Sequence, residues 1–111
     1  MNISEVRKAG VVILGLSGRL DASSVKTFQE KFLTNIDGGD RRFIIDFSQL
    51  DYISSSGLRV FYQLSAKLKP NGGKIVFCCL SGDVKRVFDI VDMAADFPVA
   101  LTREEAMDNL K

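Results

Sequence analysis

The sequence predicts a single α/β domain (1–111), with a small mixed β-sheet of four to five strands packed against about four helices. Short apolar runs rich in β-branched residues alternate with segments whose apolar residues recur at steps of three and four. No linker-like stretch interrupts that alternation. The 111 residues, 46% hydrophobic and 26% charged, suit one soluble domain that buries about two-thirds of its unfolded surface.

The elements follow in order. Ile3 to Arg7 and Val11 to Leu16 read as two strands joined by a turn at Lys8-Ala9-Gly10. That pair can form a hairpin, which makes the sheet mixed. Gly18-Arg19-Leu20-Asp21 leads into a helix carrying Val25, Phe28, Phe32 and Ile36. Asp21 or Ser23 can cap it, and Asp37-Gly38-Gly39-Asp40 stops it. Phe43 to Phe47 is the next strand, followed by a short polar loop with three serines, Ser54-Ser55-Ser56. The helix after Gly57 shows an apolar face (Leu58, Phe61, Tyr62, Leu64, Leu68) and a polar stripe (Arg59, Gln63, Lys67).

Pro70-Asn71-Gly72-Gly73 forms a turn, and Lys74 to Leu80 reads as a buried strand. Val84, Val87, Phe88 and Val91 mark an amphipathic helix, and Phe97-Pro98-Val99 a short edge strand, where proline is tolerated. Thr102 and Glu105 form a capping box for the last helix, with Leu101 and Ala106 placed as a hydrophobic staple.

Composition excludes several function classes. A net charge of +1, with both signs interspersed, gives no basis for a nucleic-acid or anionic-membrane partner. No run approaches a membrane span, and the first residues lack the apolar region of a signal peptide, so a cytoplasmic protein is expected. With no histidine in the chain, the usual general base and commonest zinc ligand are missing, and the expectation is a non-enzyme with no cofactor and no metal. Cys78 and Cys79, consecutive in a strand, should point to opposite faces, poorly placed to bridge. Asn71-Gly72-Gly73-Lys74 lacks the strand-to-helix context of a phosphate loop. Asp46 and Asp51 read as acceptors in Asx-type turns, since no third metal ligand is evident.

The serine loop is the feature that composition leaves unexplained. One serine suffices to cap a helix by accepting an orphan backbone N–H. Three in succession leave a hydroxyl exposed at a helix N-terminus, where the dipole favours an added anion. Arg59, a cation read in the first turn of that helix, opposes the dipole and fits a functional surface or a solvated one.

The chain resembles the anti-sigma factor antagonists of the STAS superfamily. The resemblance rests on Gly18-x-Leu20-Asp21, the segment from Asp46-x-Ser48 through Gly57-Leu58, the Gly72-Gly73 turn, and Val84-Lys85-Arg86-Val87-Phe88-Asp89, all in family order. It implies a STAS-like fold, a small mixed sheet against a layer of helices. It also implies phosphorylation at Ser55, the first serine of the family's phosphoacceptor pattern when aligned on Gly57, with Ser56 as the alternate. Ser54 stands where many relatives have Asp, and Arg19 departs from the residue common beside Asp21. The implied partner surface comprises Asp21, Ser23, Ser54, Ser55, Ser56, Gly57 and Arg59. The unmodified protein would bind an anti-sigma factor serine kinase and free its sigma factor. Phosphorylation would break that complex, and a serine phosphatase would restore it. A STAS scaffold or accessory subunit of a stress-signalling or transport assembly is the alternative.

Overall fold

The computed structural model, which describes residues 1–110, arranges five strands in the order they occur along the chain. β1 (Asn2–Lys8) and β2 (Val11–Leu20) form an antiparallel hairpin. Its turn places Ala9 at φ +52° and Gly10 at φ +77°, the two consecutive positive values that a tight hairpin of this hand requires. β3 (Arg42–Ile53), β4 (Lys74–Cys78) and β5 (Val99–Ala100) then add in parallel. The sheet is therefore mixed, as expected.

The parallel steps are made by α1 (Val25–Asp37), α2 (Ser55–Leu68) and α3 (Gly82–Ile90). Crossovers of this kind are right-handed, so three successive steps in one direction lay all three helices on one face. Phe28 and Phe32 from α1, Phe61 and Leu64 from α2, and Val84 and Phe88 from α3 meet Leu14, Phe43, Ile45, Phe47 and Phe77 of the sheet in the main core. Phe61 sits at its centre, 5.4 Å from Phe28, 5.8 Å from Phe47 and 4.9 Å from Phe77 by ring centroids, in the tilted and edge-on geometries aromatic rings prefer. The opposite face carries a smaller cluster of Val11, Ile13, Ile44, Val76, Cys78 and Ala100. It is covered by α4 (Arg103–Asn109) through Ala106, with Leu110 just beyond the helix.

Several boundaries differ from the sequence reading, each for a physical reason. β3 does not stop at Phe47 but runs to Ile53, because Leu50 and Ile53 remain buried and the strand keeps pairing with β2 through two register shifts. Helix α2 begins at Ser55, before Gly57, so Arg59 is its fifth residue and its conflict with the dipole, which is confined to the first turn, is weak. Ser24, not Asp21 or Ser23, is the N-cap of α1, and its hydroxyl donates to the Arg19 carbonyl at 2.7 Å. β4 ends at Cys78, and Cys79 turns away at φ +63°. The two thiols therefore do not point apart: their sulfurs lie 3.5 Å from each other. α3 ends before Val91, which is 48% exposed.

At α4 the Thr102 hydroxyl accepts from the Glu105 amide at 3.1 Å, as the capping box requires. The returning Glu105 carboxylate takes the Leu101 amide instead of that of Thr102. The staple does not form, since Leu101 is 78% exposed while Ala106 is buried.

One long-range pair ties α4 to the sheet. The Arg103 Nε donates to Asp46 Oδ2 at 2.6 Å, and the Ser48 amide donates to Asp46 Oδ1 at 2.8 Å. The Asx-type role expected of Asp46 is thus present, with an ion pair added. Burial works to raise the Asp46 carboxyl, but these bonds outweigh it and hold the group below its ordinary value. Among the described residues, no helix is long and apolar enough to cross a membrane.

Candidate functional site

β2 and β3 are parallel neighbours, and their last residues pair as Arg19 with Tyr52 and Leu20 with Ile53. The segments that follow them therefore leave the same end of the sheet side by side. After β2 comes the Asp21 turn, and after β3 the serine loop. The Ser54 amide donates to the Leu20 carbonyl at 2.9 Å and joins the two.

The Asp21 turn is organised by its own side chains. Asp21 Oδ1 accepts from the Ser23 hydroxyl at 2.6 Å and from the Ser23 amide at 3.0 Å. Arg19 Nε lies 3.4 Å from Asp21 Oδ2. The Ser23 hydroxyl, then burial and the Ser23 amide, are the leading influences, and the net result holds the Asp21 carboxyl below its ordinary value. Asp21 therefore presents a fixed negative charge at neutral pH, while the Ser23 hydroxyl is committed to it.

The serine loop divides its labour. Ser54 is the N-cap of α2, with extended backbone, and its hydroxyl accepts from the Gly57 amide at 3.2 Å. Ser55 is the first helical residue and is exposed; Ser56 is half-buried. Among the described residues neither hydroxyl makes a hydrogen bond within the protein. No acidic residue occupies the first turn of α2, so its free N–H groups carry no side-chain anion. Gly57 is buried and required by close approach. A Cβ there would lie 2.8 Å from the Leu20 carbonyl oxygen and 2.9 Å from Ile53 Cγ1.

The structure thus brings Asp21, Ser23, Ser54, Ser55, Ser56 and Gly57 to one end of the sheet. Arg59 is exposed but lies one turn further along α2, with no hydrogen bond or ion pair, among the described residues, linking it to the Asp21 turn. Residue patterns missed Tyr52. It is 40% exposed, and the Arg19 guanidinium stacks 4.2 Å above its ring centroid. A polar loop was expected where Tyr52 lies, and only the continued strand pairing puts Arg19 and Tyr52 opposite each other. Chemically the site offers a free primary hydroxyl at an anion-favouring helix terminus, beside an ionised carboxylate and a stacked arginine–tyrosine pair.

Comparison with known proteins agrees with the fold. The STAS domain family model matches residues 2–106. A Bordetella bronchiseptica protein that bears the name anti-sigma factor antagonist BtrV is 36% identical over 97 residues, which cover 87% of this chain and 84% of BtrV. The chain belongs to the STAS domain family. Among solved structures, a Thermotoga maritima protein named as an anti-sigma factor antagonist superposes with a TM-score of 0.90 at 19% identity, over 96% of this chain and 92% of that one. The Bacillus cell-fate determinant SpoIIAA, in its phosphorylated form, gives a TM-score of 0.75 at 23% identity, over 99% and 100% of the two chains. These two structures share the fold.

Proposed function

We propose that this protein is a phosphorylation-controlled anti-sigma factor antagonist acting in the cytoplasm, a substrate and regulator and not an enzyme. Its unmodified form docks the Asp21 turn and serine loop onto an anti-sigma factor serine kinase and releases the sigma factor. The observation that carries this reading is the division between Ser54 and Ser55: the first caps the helix, and the second is exposed with its hydroxyl uncommitted. The names of BtrV and of the Thermotoga maritima neighbour support the same class, and the phosphorylated form of SpoIIAA shows that a protein of this fold carries a phosphate.

In the transfer step the Ser55 oxygen bonds to the γ-phosphorus of the kinase's Mg²⁺-bound ATP. The bond to ADP breaks, and the serine proton leaves to the kinase. The product adds about −1.5 to −2 charges at the surface. At a helix N-terminus lacking acidic residues, that charge meets free N–H groups and the positive dipole end, so the fold is retained. The cost falls on the docked complex, where an unpaired charge loses its water. A penalty of about 2.8 kcal/mol is enough for a hundredfold loss of affinity. A serine phosphatase resets the surface by hydrolysing the ester.

The test is to incubate the protein with its cognate kinase and ATP and map the modified peptide by mass spectrometry. A single phosphate on Ser55, abolished in Ser55→Ala, is the expected result. A phosphate outside Ser54–Ser56 would refute the site.

A further inference from the structure

Cys78 and Cys79 lie outside the surface just described, on the α4 side of the sheet, and their geometry is unusual. Consecutive strand residues point to opposite faces. Here the backbone of Cys79 takes φ +63°, a region that side chains other than those of Asn and Asp rarely enter. The result is two sulfurs 3.5 Å apart on one side of the chain. Asp46, which pairs with Cys78 across β3 and β4, adds a carboxylate oxygen, and the three donor atoms all lie within 4.8 Å of one another. An uncommon backbone conformation that assembles donor atoms is a reason to look for a ligand.

We propose that Cys78, Cys79 and Asp46 bind one thiophilic divalent cation of the zinc type, with water as the fourth ligand. The spacing fits: two thiolates bound at ~2.3 Å to one tetrahedral zinc stand about 3.8 Å apart, so the sulfurs need move only slightly. A disulfide fits worse. It requires sulfurs at about 2.05 Å and Cα atoms usually at least about 4.4 Å apart, whereas neighbouring residues are held at about 3.8 Å. Thiolate donors select soft or borderline cations over magnesium or calcium.

Charge balance permits the site despite its burial. Cys78 is fully buried, Cys79 half-buried and Asp46 5% exposed. Without a cation the cluster is neutral: Asp46 is paired with Arg103 at 2.6 Å, and thiols ordinarily hold their protons at neutral pH. Binding forms two metal–sulfur bonds and releases two protons to solvent. The divalent cation then offsets the two new thiolate charges, so the cluster stays neutral. Asp46 has a position to spare, since a carboxylate offers about four acceptor positions and the Ser48 amide, the Ser48 hydroxyl and Arg103 take three. Arg103 would orient the ligating carboxylate through its bond to Oδ2, as outer hydrogen bonds do in metal sites.

The test uses the full chain, reduced and stripped with a chelator, titrated with Cd²⁺ and read by the ultraviolet thiolate-to-metal charge-transfer band. One Cd²⁺ per chain, displaced by Zn²⁺, is expected. Cys79→Gly should lose the band while keeping the fold, because glycine accepts the positive φ without strain. Asp46→Asn should keep the band but weaken binding at least tenfold. Absence of the band, an equal band in Cys79→Gly, unweakened binding by Asp46→Asn, or one ion shared between two chains would overturn the proposal.

Discussion

The Ser54 amide donates to the Leu20 carbonyl at 2.9 Å, so the cap of α2 is fastened to the last residue of β2. The same carbonyl lies 2.8 Å from where a Cβ on Gly57 would stand. The start of the helix and the end of the neighbouring strand thus share one close contact, and the Asp21 turn and serine loop keep a fixed relation through it.

Gly57→Ala tests that contact. In an open helix the change would stabilise by about 1 kcal/mol. Here the methyl meets a backbone carbonyl, which cannot swing aside as a flexible side chain can. Overpacking of this kind costs about 1–3 kcal/mol, so the net effect is a loss of stability, read as a lower urea midpoint with an unchanged m-value. A raised midpoint would show that the loops are not packed as described.

The adjacent serines should separate structure from signal. Ser54→Ala removes a cap bonded to the Gly57 amide and should cost about 1 kcal/mol. Ser55→Ala removes an uncommitted exposed hydroxyl and should stay within about 0.5 kcal/mol of the parent. Comparable losses in the two variants would contradict the division of roles.

A pH dependence follows from Asp40. Arg7 holds its carboxylate in a two-pronged pair, at 2.7 Å and 2.8 Å, and Asn35 adds a bond at 3.1 Å. The Arg7 bond, as the leading cause, keeps the Asp40 carboxyl below its ordinary value. A group depressed in the folded state contributes stability above its unfolded pKa of about 3.9, and that contribution is lost as pH falls through the lower folded value. In Asp40→Asn, stability should therefore fall less steeply on acidification below about pH 4 than in the parent. Urea melts across that range measure it, and parallel curves would remove Asp40 from the account.

Much of this architecture was legible in the sequence because the apolar periods are clear. Phe28 and Phe32 mark α1, and Val84 and Phe88 mark α3, at the helical spacing that the main core uses. The hairpin turn at Ala9-Gly10 and the Thr102 cap were local signals, and both hold. What failed were features decided by neighbours distant in sequence. The Ser48–Ile53 stretch looks like a polar loop in isolation, and becomes strand only because β2 lies alongside it. The Asp46–Arg103 pair spans 57 residues and leaves no local trace. The Cys78–Cys79 geometry depends on one backbone angle, which strand propensity does not report. Of the proposed surface, the serines were conspicuous by their excess, while Tyr52 was hidden by the misread strand.

The central claim is that modifying one exposed hydroxyl spoils a recognition surface electrostatically while the fold stays intact. Calorimetric titration of the cognate anti-sigma factor kinase with the unmodified and the Ser55-phosphorylated protein tests it most directly. The account predicts binding weakened at least tenfold by the phosphate, a difference of about 1.4 kcal/mol or more, with identical circular dichroism spectra. Equal affinity of the two forms would contradict it, as would weakened binding accompanied by a loss of helical signal.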